Sequence, residues 1–225
     1  MSRLPRKELP KSGFFHVICR SNNHISLFCD DDDHLEYIDR VVRFQKRWPF
    51  ELNHYAIMRT HVHFVIRTED LASISKAMQT IELSYFHHYR KKYKYSGHLW
   101  NSRFRSLPIQ SEKYLFECGR YIELNPVRAE VVSCPEEYRW SSYRYYCTGE
   151  DDKLIKPAEW YLDLDQRVTE RQRIYKAYIY EGLEKDYAEE RKVYESPEFI
   201  GDVSQCNPRM MRVRRKPWQP AWEAD

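Results

Sequence analysis

The chain has 225 residues, 37 Lys and Arg against 34 Asp and Glu, a net charge of +3, and 42% hydrophobic residues with 18 tyrosines. That suits one well-buried domain with an extension and excludes wholesale disorder. No apolar run reaches membrane-span length, residues 1–11 lack a signal-peptide core, and neither G-x-x-x-x-G-K-[ST] nor G-x-G-x-x-G occurs; we expect a cytoplasmic protein with no membrane partner and no nucleotide cofactor.

In chain order, residues 13–21 alternate Phe15, Val17 and Cys19 against His16, Ile18 and Arg20, the pattern of a strand. Acidic residues 30–33 open a helix whose inward stripe reads Leu35, Ile38, Val41, Val42 and Gln45, closed by Trp48-Pro49. Residues 50–58 and 61–67 form a hairpin across Arg59-Thr60. Leu71, Ile74, Ala77, Met78, Ile81 and Tyr85 mark a second helix over 71–92, Ser96-Gly97 breaks it, and 104–110 is a fourth strand. Ser111 caps a third helix.

The order β-α-β-β-α-β predicts an α+β, ferredoxin-like split βαβ fold: a four-stranded antiparallel sheet with helices on one face and the other free. A boundary near Thr148-Gly149 separates a domain over 1–148 from a charge-rich extension over 149–225, with a helix at about 168–194 and a basic tail. The six cysteines, Cys19, Cys29, Cys118, Cys134, Cys147 and Cys206, form no C-x-x-C pair and are expected to be reduced.

The chemistry concentrates in His61-Val62-His63 and Tyr121. Residues i and i+2 of a strand share a face, so two imidazoles can share one divalent ion. On the third helix, Tyr114, Glu117, Tyr121, Asn125 and Arg128 form a polar stripe opposite Leu115, Gly119 and Ile122. A metal offsets the charge that shields a phosphodiester from attack, and a tyrosine nucleophile would keep the energy for resealing in a phosphotyrosine bond. Asn125 either supplies a third metal ligand or caps a helix restarted by Pro126. The run Asp30-Asp31-Asp32-Asp33 is a helix start rather than a metal cluster, because consecutive side chains diverge.

Between residues 85 and 105, Tyr85, Phe86, Tyr89, Tyr93, Tyr95, Trp100 and Phe104 interleave with Arg90, Lys91, Lys92, Lys94, Arg103 and Arg105. Cations for phosphates and flat rings for bases suit single-stranded DNA, whereas an ordinary amphipathic helix would send the rings to the core. We take Arg90, Lys91, Lys92, Trp100, Arg103 and Arg105 as DNA-binding candidates. Arg212 and Arg214 join them, in a terminal run that is either a DNA-contacting arm or a solvated tail.

Four segments, Met58-Arg59-Thr60-His61-Val62-His63-Phe64, His98-Leu99-Trp100-Asn101-Ser102-Arg103-Phe104, the run from Arg120 through Tyr121 and Asn125 to Ala129, and Trp140-Ser141-Ser142-Tyr143, resemble in order the motifs of the REP-associated tyrosine transposases, relatives of insertion-sequence enzymes. The resemblance spans about residues 10–147. It implies Mg2+ or Mn2+ on His61 and His63, with Asn125 at the position that completes the metal site. It also implies Tyr121 as the nucleophile that joins a DNA 5′ phosphate and releases a 3′-OH, and as substrate single-stranded DNA beside imperfect hairpins. Asn101-Ser102 replace a frequent Gln-Gly, and Glu130 stands where glycine is common. A monomer or a homodimer fits equally. The rival readings are a hairpin-DNA-binding protein that no longer cuts and an H-x-H zinc hydrolase, the latter disfavoured because further His and Asp ligands are not evident.

Overall fold

The computed structural model describes residues 9–184 and 187–195. Strand β1 (Gly13–Arg20) leads to helix α1 (Asp31–Arg47), the hairpin β2 (Glu51–Met58) and β3 (His61–Thr68), helix α2 (Leu71–Tyr93), strand β4 (Arg105–Ile109) and helix α3 (Glu112–Arg128). The sheet order is β2-β3-β1-β4 and every pairing is antiparallel. The α+β split βαβ arrangement is therefore as expected, with the Arg59-Thr60 turn and the Ser111 cap in place.

Adjacent residues of β3 show how the two faces are used. Phe64 stacks toward Tyr37 of α1, with ring centroids 6.4 Å apart, and Tyr37 meets Tyr85 of α2 edge-on at 5.2 Å. His63, on the opposite side, faces Tyr121 of α3. So α1 and α2 share one face, and the face expected to be free is covered by α3, whose apolar and aromatic residues need a surface to bury against. The α1 stripe is also displaced by one position: Tyr37, Val41 and Phe44 are buried, while Leu35 is half exposed. Aromatic rings remove more apolar area from water than the aliphatic residues at the neighbouring positions, and they take the inward side.

Asp30 caps α1 by accepting from the Asp33 amide, and the buried Asp33 carboxylate accepts from Lys92 and Tyr93, so the acidic run fastens α1 to the end of α2. Helices α4 (Tyr143–Thr148), α5 (Glu159–Leu162), α6 (Val168–Glu181) and α7 (Tyr187–Tyr194) follow. The outer edge of β2 is partly closed by later chain, through Ile57 N–H to Trp140 and Lys156 N–H to Leu52. The helix expected over 168–194 is interrupted at Gly182, where a Cβ would come within 2.5 Å of Arg120 and 2.7 Å of Leu124. Among the described residues, five free cysteines are present and no helix is long and apolar enough to cross a membrane.

Candidate active site

His61 and His63 leave β3 on the same side, and their rings meet edge-on with centroids 4.9 Å apart. His16 of β1 joins them, its ring stacked on that of His63 at 5.1 Å. Burial lowers the pKa of His16 and of His61 to about 4 each, and that of the fully buried His63 well below its ordinary value. All three are neutral at pH 7.

Neutrality fixes the tautomers. The Tyr194 carbonyl, 2.8 Å from His16 Nδ1, can only accept, so that nitrogen carries the proton and His16 Nε2 is bare. His63 Nδ1 therefore donates to His16 Nε2 across 2.8 Å, and the lone pair of His63 is left on Nε2. Nε2 is buried with no hydrogen-bond partner among the described residues, an orientation suited to a metal.

Tyr121 lies on α3, which runs through Pro126 without restarting, so Asn125 is not a helix cap. Its ring stands edge-on to His63 at 6.2 Å and to His16 at 6.5 Å. The buried Asn125 directs its Nδ2 to the Tyr121 carbonyl at 3.3 Å. The polar stripe on α3 is not open to solvent: Tyr121 is fully buried, and α7 lies over it. Tyr194 packs on the Tyr121 ring at 5.1 Å and donates its hydroxyl to Glu117, while Glu190 pairs with Arg120 and Arg128.

Beyond α7, Glu195 accepts a 2.7 Å hydrogen bond from the Tyr121 hydroxyl and pairs with Arg20, and one of its oxygens is 4.0 Å from His63 Nε2. Burial raises its pKa, but Arg20 and the tyrosine hydroxyl outweigh that and hold it below the usual carboxylate range. Arg105 donates to its backbone carbonyl at 2.8 Å. Among the described residues, no three His, Cys, Asp or Glu side chains are grouped to hold a metal ion, so the two motif histidines need an oxygen ligand of another kind or a shift of a neighbour.

A model of the IS200-like transposases matches residues 11–125, just over half of the chain, and ends on Asn125. The chain belongs to the IS200-like transposase family. A structure of a REP-associated tyrosine transposase bound to a REP hairpin superimposes with a TM-score of 0.57 at 18% identity, covering 70% of this chain and 93% of that one, and supports the fold. A structure of a putative transposase from Deinococcus radiodurans R1 gives a TM-score of 0.37 at 21% identity over 55% of this chain and 96% of that one. No curated protein matches.

In this chain the basic-aromatic stretch divides by residue type. Tyr85, Tyr89 and Phe104 are core, and Trp100 packs near Tyr37 and Tyr85 with its indole N–H on the Glu82 carbonyl. Arg90, Lys91 and Arg103 are exposed, whereas Lys92 is engaged by Asp30 and Asp33. Arg105 borders the site through Glu195. Arg212 and Arg214 lie outside the described residues. Glu130, at the position where glycine is common, adopts φ 55, in the left-handed region that glycine enters most easily.

Sequence reasoning passed over three residues of this cluster. His16 and Arg20 were detectable, since the β1 alternation sets both on one side. Glu195 had no local signal.

Proposed function

We propose that the protein is a metal-dependent endonuclease and strand transferase for single-stranded DNA beside hairpins of the REP type, working through a 5′-phosphotyrosine. The supporting observation is the convergence of His61, His63 and Tyr121 on one sheet face, with ring separations of 4.9 and 6.2 Å. The Tyr121 phenolic oxygen bonds to phosphorus as its proton departs, the bond from phosphorus to the 3′ oxygen breaks, and that oxygen leaves as a hydroxyl. Attack by a 3′-OH reverses the step without ATP.

His61 and His63, with Asn125 as third ligand through its amide oxygen, would hold Mg2+ or Mn2+. The orphaned Nε2 of His63 and the neutral state of both rings fit that assignment. Bound there, the metal would offset charge on the phosphate oxygens. His16 keeps the proton of His63 on Nδ1, away from the metal side. Exposed Arg90, Lys91 and Arg103 would meet the DNA backbone. The hairpin DNA bound to the neighbouring structure supports a hairpin substrate, and residues 1–148 would be the catalytic unit of a cytoplasmic protein.

The test is incubation with a panel of labelled hairpin oligonucleotides in Mg2+ or Mn2+, scored for a denaturation-resistant adduct. We expect an adduct with the wild type and none with Tyr121→Phe, which should still bind hairpins. Adducts that persist in Tyr121→Phe would remove Tyr121 from the role, and binding with no adduct from the wild type would assign a hairpin-binding protein that does not cut.

A further inference from the structure

Two stretches that the proposed chemistry leaves unused meet under α3: Glu123, in the motif that carries Tyr121, and the segment Trp140-Ser141-Ser142-Tyr143. The segment runs along the outer edge of β2, where the Trp140 carbonyl accepts from Ile57 N–H and Ser142 N–H donates to the Tyr55 carbonyl at 3.0 Å. The Ser142 hydroxyl then accepts from Tyr55 N–H at 3.0 Å and donates to Glu123 at 2.6 Å. His54 of β2 donates to the same carboxylate oxygen at 2.9 Å, and Tyr175 of α6 donates to the other at 3.1 Å. All four side chains are fully buried.

Three donors from three parts of the chain give this carboxylate a direction as well as a contact. Hydrogen bonds weaken steeply off their axis, whereas apolar contacts, such as those of Phe116 with Trp160 and Tyr178, are non-directional. Replacing a buried ionisable group by a well-packed apolar one is often neutral for stability, so what Glu123 adds is orientation. Gly119, one turn earlier on the same side, lets α3 approach the His54 ring. Residues two apart on a helix point about 200° from each other, so fixing Glu123 toward β2 and α6 fixes Tyr121 toward His63. A turn of α3 by about 10° would carry a side-chain tip at a radius of about 6 Å through about 1 Å, a misplacement that can cost about a hundredfold in rate.

Resting on the proposed reaction, we propose that Glu123 is a positioning residue: held by Ser142, His54 and Tyr175, it sets the rotation of α3 and thereby the reach of the Tyr121 hydroxyl to phosphorus, without itself touching DNA.

The test uses the full chain with Glu123→Gln, and Tyr175→Phe as the milder variant, each at a temperature where circular dichroism shows it folded. Hairpin binding is read by anisotropy in EDTA, and the adduct by its single-turnover rate at saturating DNA in Mn2+. The placement of Tyr121 is read by NMR of ring-labelled tyrosine, its signal identified by its loss in Tyr121→Phe. Glu123→Gln keeps the side-chain size but turns an amide NH2 toward one of the donors. It should slow adduct formation by about ten- to a hundredfold while hairpin affinity stays within about twofold of the wild type. Tyr175→Phe, which removes one donor of three, should slow it by a smaller factor, and the Tyr121 signal should shift in both. An unchanged adduct rate in folded Glu123→Gln, or a loss confined to binding or to the melting temperature, overturns the proposal and leaves the nuclease reading standing. Should Glu123→Gln not fold, the same readings on Tyr175→Phe decide. If the wild type forms no adduct, the nuclease reading falls and the Tyr121 signal alone judges the placement: a shift in Glu123→Gln upholds it, and an unmoved signal overturns it.

Discussion

The two faces of the sheet are both buried, but for different ends. Under α1 and α2 the contacts are mainly apolar or aromatic, with Tyr85 donating to the Leu27 carbonyl and Tyr89 to the Ser26 carbonyl, and the ion pair of Asp33 with Lys92 lies at the end of α2. Under α3 and α7, buried His16, His63 and Tyr121 meet the partly buried His61, Glu195 and Arg20, so imidazoles, a phenol, a carboxylate and a guanidinium come together. Apolar packing on the first face stabilises in proportion to the area removed from water, whereas the second face gains only modest net energy from pairing groups that water would also have satisfied. Burial therefore means fold on one side and a covered site on the other.

The sharpest break of this comparison is a pair of substitutions at neighbouring places on opposite faces. Phe64→Ala removes a fully buried ring opposite Tyr37 and should cost about 3–5 kcal/mol of stability. Tyr121→Phe should abolish the adduct with a far smaller change in unfolding free energy, about 1 kcal/mol for one lost hydrogen bond. Urea denaturation of both variants measures this. If Tyr121→Phe costs as much stability as Phe64→Ala, the second face is ordinary core.

A smaller effect is expected where the second face turns structural. Gly119 of α3 lies against the ring of His54, and a Cβ there would come within 2.8–2.9 Å of three ring atoms. His54 is fully buried, donates to Glu123 at 2.9 Å, and stacks on Tyr146 and Trp160. Glu123 also receives the hydroxyls of Ser142 and Tyr175, so this ring has little room to yield. Gly119→Ala should cost about 1–3 kcal/mol by overpacking. A melting temperature equal to that of the wild type would show that the ring swings aside.

The pattern of the sequence reaches as far as local geometry reaches. His61 and His63 share a side because strand alternation requires it, and Tyr121 shares a stripe with Glu117 and Arg128 because the helical period requires it. What covers that stripe is a different matter. Glu195 meets Tyr121 across 74 positions, through a helix whose placement depends on Gly182 fitting against Arg120 and Leu124. The aromatics at 85, 89 and 104 are as apolar as they are flat, and only the presence of α1 and the chain around residues 26–28 decides that they pack rather than stack on bases.

The finest test concerns how the extension is fastened. Glu136 receives the hydroxyls of Tyr143 at 2.7 Å and Tyr180 at 2.8 Å and pairs with Lys176 at 2.9 Å, tying α6 to the chain before α4. Burial pushes its pKa up, but Lys176 and the two hydroxyls outweigh that and bring it down to about 2 from 4.5. A carboxyl whose pKa is depressed by folding contributes stability that is complete above its unfolded value and is lost as pH falls through its folded value. The contribution is therefore whole above about pH 4.5 and fades toward about pH 2. Because the pair is partly exposed, it is worth no more than about 1 kcal/mol. Glu136→Gln should lower the melting temperature by a few degrees at pH 7, and the gap from the wild type should narrow steadily from pH 4.5 downward. A gap that stays constant to pH 3 would mean that the glutamine's lost contacts, and not the charge, account for it, and that α6 is held by the Trp160 and Tyr175 cluster alone.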